Sequence, residues 1–259
     1  MKNDYQEKEE LLQSMDNENF VLKIFRLIPS RKIKFYGRAL RCFRVERLIR
    51  SRFFSKSWVD SSSKSDTPPD FHNEKHHIMM EMMRIDDSVK KINGKKAINS
   101  FERANIYMEK HFECDYKNKM KGCSLFFVPD TSNDAQFKFK AYLKNFERVL
   151  INHSNKADEY RENYPKCKTL VLFICDESNG YYQKVAENKD LVHLCFNDSA
   201  FIEIIKRCKA DYLVWFTMYK TAINSNKKII KQPLACIYDV KHIKQTGVRY
   251  NHEKMIKIK

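Results

Sequence analysis

Residues 68–87 read PPDFHNEKHHIMMEMMRIDD. A proline-flanked aspartate, Asp70, precedes a polar turn near Asn73-Glu74-Lys75. An apolar run follows, Ile78-Met79-Met80-Glu81-Met82-Met83, with one glutamate at its centre. The run is short and apolar, which predicts a strand over His77–Ile85. Residues two apart share a face of a strand, so His77, Met79, Glu81, Met83 and Ile85 lie on one side. Asp70 then stands at the entry to a hairpin whose second arm carries Glu81. Either Glu81 is one solvated acid on a strand edge, or the two carboxylates meet at adjacent strand ends. Two such carboxylates make a hard-oxygen site suited to Mg²⁺ or Mn²⁺. An ion of this kind activates water and stabilises charge on a phosphodiester.

Outward from this hairpin the chain alternates helices and apolar strands. Helices are predicted at Phe20–Leu27 and Gly37–Phe54, the second with an apolar stripe of Cys42, Val45, Ile49 and Phe53. Ser55–Pro69 reads as a linker or irregular edge. Ser100–Phe112 reads as helical and Ser124–Val128 as a buried strand. A long helix carries apolar residues from Phe139 to Tyr160 at helical spacing and stops before Pro165. Thr169–Cys175 (TLVLFIC), Tyr212–Phe216 (YLVWF) and Leu234–Val240 are strands, Leu191–Phe196 is a further short one, and Ala200–Cys208 is a helix. Fully apolar strands alternating with helices predict an α/β fold, a mixed sheet flanked by helices. Residues 1–66 read as an acidic tail and a basic helical segment and residues 67–259 as the α/β core. Residues 38–54 are also readable as the first helix of that core.

Composition bounds the function. The chain has 259 residues, 42% hydrophobic and 13% aromatic, enough for a sizeable core. No apolar run is long enough to span a bilayer, and the polar, acidic start MKNDYQE is no secretory signal. The 8 cysteines include no C-x-x-C pair, so reduced buried thiols in a cytoplasmic protein are expected. With 5 glycines and neither G-x-G-x-x-G nor a P-loop, nucleotide-cofactor chemistry is not expected.

The net charge of +16 is unevenly spread. Residues 1–22 hold six acids, whereas residues 23–56 hold twelve bases, eight of them arginine, against the single acid Glu46. A local field of this kind is the footprint of a polyanion site, and arginine is the bidentate phosphate partner. Arg38, Arg41, Arg44, Arg47, Arg50 and Arg52 are the expected nucleic-acid contacts, with DNA ahead of RNA. A solvated helix face and an anionic membrane surface are the competing readings of the same charges, and no membrane partner is expected. The sequence leaves the oligomeric state open, a homodimer included.

The Pro69-Asp70 pair, the eleven-residue step to Glu81 and the hydrophobic frame IMMEMM resemble the PD-(D/E)XK nuclease superfamily, with its restriction-endonuclease-like fold. The order of a basic helix, the hairpin, a helix and a strand is also similar. The resemblance covers residues 38–176. It implies a restriction-endonuclease-like core and a metal-dependent nuclease acting on DNA or RNA, with Asp70 and Glu81 as catalytic metal ligands. It also implies that an acid from the first helix, here Glu46, joins the metal shell, although an ordinary helix ion pair with Arg50 explains Glu46 as well. The family's lysine falls at Met83, which carries neither charge nor donor. Lys75 in the turn, or Lys138 and Lys140 at the start of the long helix, would supply a relocated cation. The alternative is a non-catalytic nucleic-acid-binding or interaction protein that keeps a degenerate nuclease fold.

A competing pattern, Asp239-Val240-Lys241, places D-x-K on an apolar strand with Asp211 or Asp198 as its upstream acid. Too little chain follows it for the helix and strand that the core requires. His72, His76 and His77 with Glu74 form a weaker transition-metal candidate, without regular spacing. Asp86-Asp87 and Asp176-Glu177 are strand-end acids, which commonly form turns.

Overall fold

The computed structural model describes residues 18–61, 69–85, 139–178, 180–186, 189–217, 222–223, 229–230 and 233–257. Within them lie six α-helices: α1 (Glu18–Leu27), α2 (Ala39–Arg50), α3 (Arg52–Ser55), α4 (Phe139–Asn155), α5 (Ala157–Asn163) and α6 (Ser199–Lys206). The strands are β1 (Ile33–Tyr36), β2 (Val59–Asp60), β3 (Phe71–Asn73), β4 (Ile78–Ile85), β5 (Thr169–Asp176), β6 (Tyr181–Ala186), β7 (Lys189–Val192), β8 (Tyr212–Phe216), β9 (Ala222–Ile223), β10 (Ile229–Ile230), β11 (Ala235–Asp239) and β12 (Met255–Lys257). The helix over 100–112, the strand over 124–128, Asp86-Asp87 and Lys138 lie outside the described residues.

Seven strands form one mixed sheet in the order β1-β11-β8-β5-β4-β3-β2. The centre is parallel: Glu81 lies opposite Leu172 between β4 and β5, and Leu172 opposite Leu213 between β5 and β8. The hairpin is antiparallel, with Phe71 opposite Met80 and Asn73 opposite Ile78. The edge strands β1 and β2 come from residues 33–60, so that stretch shares the sheet with the rest of the chain. Smaller sheets, β10-β9 and β12-β6-β7, complete the α/β architecture.

Alternation along the strands makes two cores. On one face Met79, Met83, Ile85, Leu170, Leu172, Ile174, Leu213 and Trp215 pack under α4, α5 and α6. On the other, Met80, Met82, Val171, Phe173, Val214 and Phe216 pack with Val21, Leu22 and Phe25 of α1 and Cys42, Val45 and Ile49 of α2. A strand buried on both faces reads as a continuous apolar run, which is why β5 and β8 were legible as such. Gly37 adopts φ +94°, and a Cβ there would stand 2.9 Å from the carbonyl oxygen of Asp239. The chain turns from β1 into α2 against the end of β11 with no room for a side chain.

Four local expectations change. The helix expected over Gly37–Phe54 is broken at Ser51, whose backbone is extended and whose hydroxyl accepts the Phe53 N–H at 3.3 Å. The break resets the helical phase, so Phe53 leaves the apolar stripe and faces solvent. Ile33–Tyr36, within the basic segment, is an unexpected strand. The long helix divides at Lys156 into α4 and α5. The strand expected over Leu191–Phe196 ends at Val192, and a tight turn, Cys195–Asn197, follows. Cys42, Cys167, Cys175, Cys195, Cys208 and Cys236 are free and buried.

Candidate functional site

The hairpin brings Asp70 and Glu81 together. The Asp70 N–H donates to Glu81 Oε2 at 3.3 Å, and the Met82 N–H donates to Asp70 Oδ2 at 2.6 Å. Each carboxylate is thus fixed by the backbone of the other's strand. Burial pushes the Asp70 carboxyl up to about 8, the adjacent Glu81 charge adds to the rise, and the Met82 N–H opposes it. Glu18, opening α1, adds a third negative charge. Two acids with one of them protonated near neutrality form a site that gains from a shared proton or a shared cation.

Two residues that sequence reasoning missed complete the surroundings. His153, in the last turn of α4, puts Nδ1 2.8 Å from Glu81 Oε1. The buried Tyr160 of α5 lies near Glu81, and the pKa of its hydroxyl is driven upward first by burial and then by the Glu81 charge. Glu81 therefore lies on the α4 face of the sheet, as the alternation of the strand requires.

The other sequence candidates fall elsewhere. Lys75 is exposed in the hairpin turn, at the opposite end of β3 from Asp70. From Ile78, where the arm begins, Glu81 is three residues away, about 10 Å of strand. Met83, at the position of the motif lysine, is 4% exposed and belongs to the core beneath α4. Lys140 pairs with Glu253 at the start of α4, about 20 Å along the helix from His153. Glu46 is buried, bound to Arg50 and accepting from the Ser30 hydroxyl at 3.0 Å. Its phase could have been read from the sequence, because it lies on the stripe of Cys42, Val45 and Ile49.

Arg50 is committed to the fold: it donates to the Ile28 carbonyl and to Ser30 Oγ as well as to Glu46. Arg38, Arg41, Arg44 and Arg47 are exposed, while the Arg52 side chain lies outside the described residues. In the competing D-x-K pattern, Lys241 Nζ bonds Asp211 Oδ1 at 2.9 Å, and Asp211 Oδ2 accepts the Leu170 N–H at 3.0 Å. Asp239 turns to His242 instead, at 2.7 Å. The turn histidines diverge: His72 lies against the Tyr164 ring, His76 against Phe54, and His77 contacts the Lys166 carbonyl. Asp176 is a structural anchor, accepting from Tyr142, Trp215 and Ser178.

Among the described residues no group of three or more His, Cys, Asp or Glu side chains is arranged to hold a metal ion, and no helix is long and apolar enough to cross a membrane. Compared with protein families, curated proteins and solved structures, the chain matches none.

Proposed function

We propose that the chain is a metal-dependent nuclease of the PD-(D/E)XK type, with Asp70 and Glu81 at its centre. The observation that carries this reading is the meeting of the two acids across the β3–β4 hairpin, where each carboxylate accepts a backbone N–H from the other's arm. Among the described residues the order α2, α3, β2, β3, β4, α4, α5, β5, with β5 parallel to β4, supports a restriction-endonuclease-like core.

The donor set suits Mg²⁺ or Mn²⁺. Such ions use one or two carboxylates and keep several waters, so a pair of acids without a third ligand is compatible with them. When bound, the ion would offset charge developing on the phosphodiester. Asp70 and Glu81 would hold it, and the Met82 N–H and His153 would orient their oxygens. His153 is the nitrogen group beside Glu81 where the motif's own lysine position is occupied by Met83. The exposed arginines of α2 would bind the phosphate backbone.

A second reading has a specific observation in its favour. Met83 is packed into the core and Lys75 is remote, so a non-catalytic nucleic-acid-binding protein on the same scaffold would look alike. Incubation with plasmid and single-stranded DNA, with Mn²⁺ and with chelator, separates the two. Metal-dependent cutting that is lost in both Asp70→Ala and Glu81→Ala supports the enzyme. Binding without cutting in Mn²⁺ selects the second reading.

A further inference from the structure

The outward face of α2 is neither plain solvent-exposed helix nor a simple basic stripe. At 100° per residue, the buried side is Cys42, Val45, Glu46 and Ile49. The opposite side presents Leu40, Phe43, Arg44 and Arg47, all exposed. Leu40 is 79% and Phe43 44% exposed, and Phe53, turned outward by the break at Ser51, is 80% exposed. The Arg47 guanidinium lies over the Phe43 ring, 6.0 Å from its centroid. Phe53 is braced edge-on by Phe54 at 5.1 Å, and Phe54 by His76 at 4.8 Å.

Solvated apolar side chains grouped on one face mark a surface that meets a partner. On α2 the flat ring of Phe43 stands among the guanidinium groups of Arg44 and Arg47, which offers π-stacking and phosphate pairing together. A duplex keeps its base faces stacked inside and presents phosphates and edges, so it gives Phe43 and Phe53 nothing to stack upon. A single strand presents both its phosphates and its base faces. A membrane surface fits less well. An interfacial helix inserts an apolar face and keeps its charges on the other side, whereas Arg44 and Arg47 share the face of Leu40 and Phe43.

We propose that Phe43 on the outward face of α2 and the exposed Phe53 beyond the break stack unpaired bases, so that the chain's nucleic-acid partner is single-stranded. The inference rests on the nucleic-acid part of the proposed function and goes beyond it by naming the strand form. It is tested in chelator, so that cleavage plays no part, by fluorescence anisotropy with a labelled 20-nucleotide oligothymidine and a 20-base-pair duplex. The double variant Phe43→Ala/Phe53→Ala is compared with Phe43→Leu/Phe53→Leu, and circular dichroism confirms that each is folded. The expected result is a loss of about tenfold or more for the single strand, with little change for the duplex and no rescue by leucine.

Equal losses on both substrates, no loss, or full rescue by leucine would overturn the stacking surface. If reversal of Arg41, Arg44 and Arg47 to Glu still abolishes binding in that case, the nucleic-acid reading survives alone. A wild-type chain that binds neither substrate overturns both. Binding of phosphatidylserine vesicles that is lost in the alanine variant, with oligonucleotide binding unaffected, would assign the face to a membrane instead.

Discussion

His153 Nδ1 stands 2.8 Å from Glu81 Oε1, tying the last turn of α4 to the middle of β4. Partners of a metal-binding carboxylate fix its rotamer, and their removal commonly costs 10- to 100-fold in activity. On the proposed activity, His153→Ala should lower Mn²⁺-dependent cleavage by about that factor, and His153→Gln, which keeps a donor, should recover part of it. Initial rates on plasmid between pH 6 and 9 check this. Rates equal to wild type at every pH would remove His153 from the site.

The Asp70 carboxyl gives a pH signature without metal. An unfolded aspartate titrates near 3.9, whereas in the fold Asp70 is pushed up to about 8. Between these values the folded chain holds a proton that the unfolded chain has released. This contribution to stability is therefore full below about pH 4, declines as pH rises, and is gone above about pH 8. Asp70→Asn keeps an acceptor for the Met82 N–H and removes the charge. It should exceed wild type in stability by roughly 2 kcal/mol at pH 8, allowing for partial solvent screening, and match it near pH 4. Thermal melts in chelator measure the difference. A wild-type chain that gains on the variant as pH rises would contradict the raised pKa.

The same proton competes with any cation that uses Asp70. Ligation requires the ionised form, so the apparent Mn²⁺ affinity should climb by up to about tenfold per pH unit from 6 to 8 and then level. Calorimetric titrations at three pH values measure it. Affinity that does not depend on pH would mean that the ion is bound without Asp70.

Arg50 and its neighbours on α2 should separate into two classes. Arg50 is bound to Glu46 and to the Ile28 carbonyl. Arg50→Met leaves Glu46 buried and uncompensated, which costs about 3–5 kcal/mol. Arg41, Arg44 and Arg47 are exposed, and single changes there should alter stability by about 0.5 kcal/mol or less while weakening nucleic-acid binding and its salt dependence. Melting temperature and affinity measured on the same four variants decide this. A drop in affinity for a still-folded Arg50→Met equal to that for Arg44→Met would place Arg50 on the binding face.

What the sequence revealed follows from how local each signal was. β5 and β8 are buried on both faces, so their residues are continuously apolar, and the mixed α/β sheet was legible from them. β1 was hidden because its residues, IKFY, sit among basic neighbours with Lys34 exposed on the sheet edge. Asp70 and Glu81 are joined by one short hairpin, so their meeting was readable from a few residues. His153 reaches Glu81 across 72 positions, and no spacing in the sequence announces that contact. The outward turn of Phe53 depended on a single extended residue, Ser51, which a periodic reading passes over.

Asp198 carries the last prediction, and it concerns the fold. Its side chain is fully buried; Oδ2 faces His193 Nε2 at 2.7 Å and His252 Nε2 at 2.9 Å, while Oδ1 accepts the Ala200 N–H that opens α6. One carboxylate thus caps a helix and ties the segment around His252 to the turn that precedes α6. The backbone adds bonds from the Ser199 N–H to the Val248 carbonyl and from the Val248 N–H to the Asn197 carbonyl. Asp198→Ala removes the buried carboxylate that joins His193 to His252 and removes the cap. The expected cost is about 3–5 kcal/mol. Asp198→Asn retains one acceptor oxygen and should lose less. Hydrogen exchange should show the amides of Ser199 and Val248 losing protection before those of β5, because the strap can open without the sheet. If protection in the two regions is lost together, the strap and the sheet form one cooperative unit.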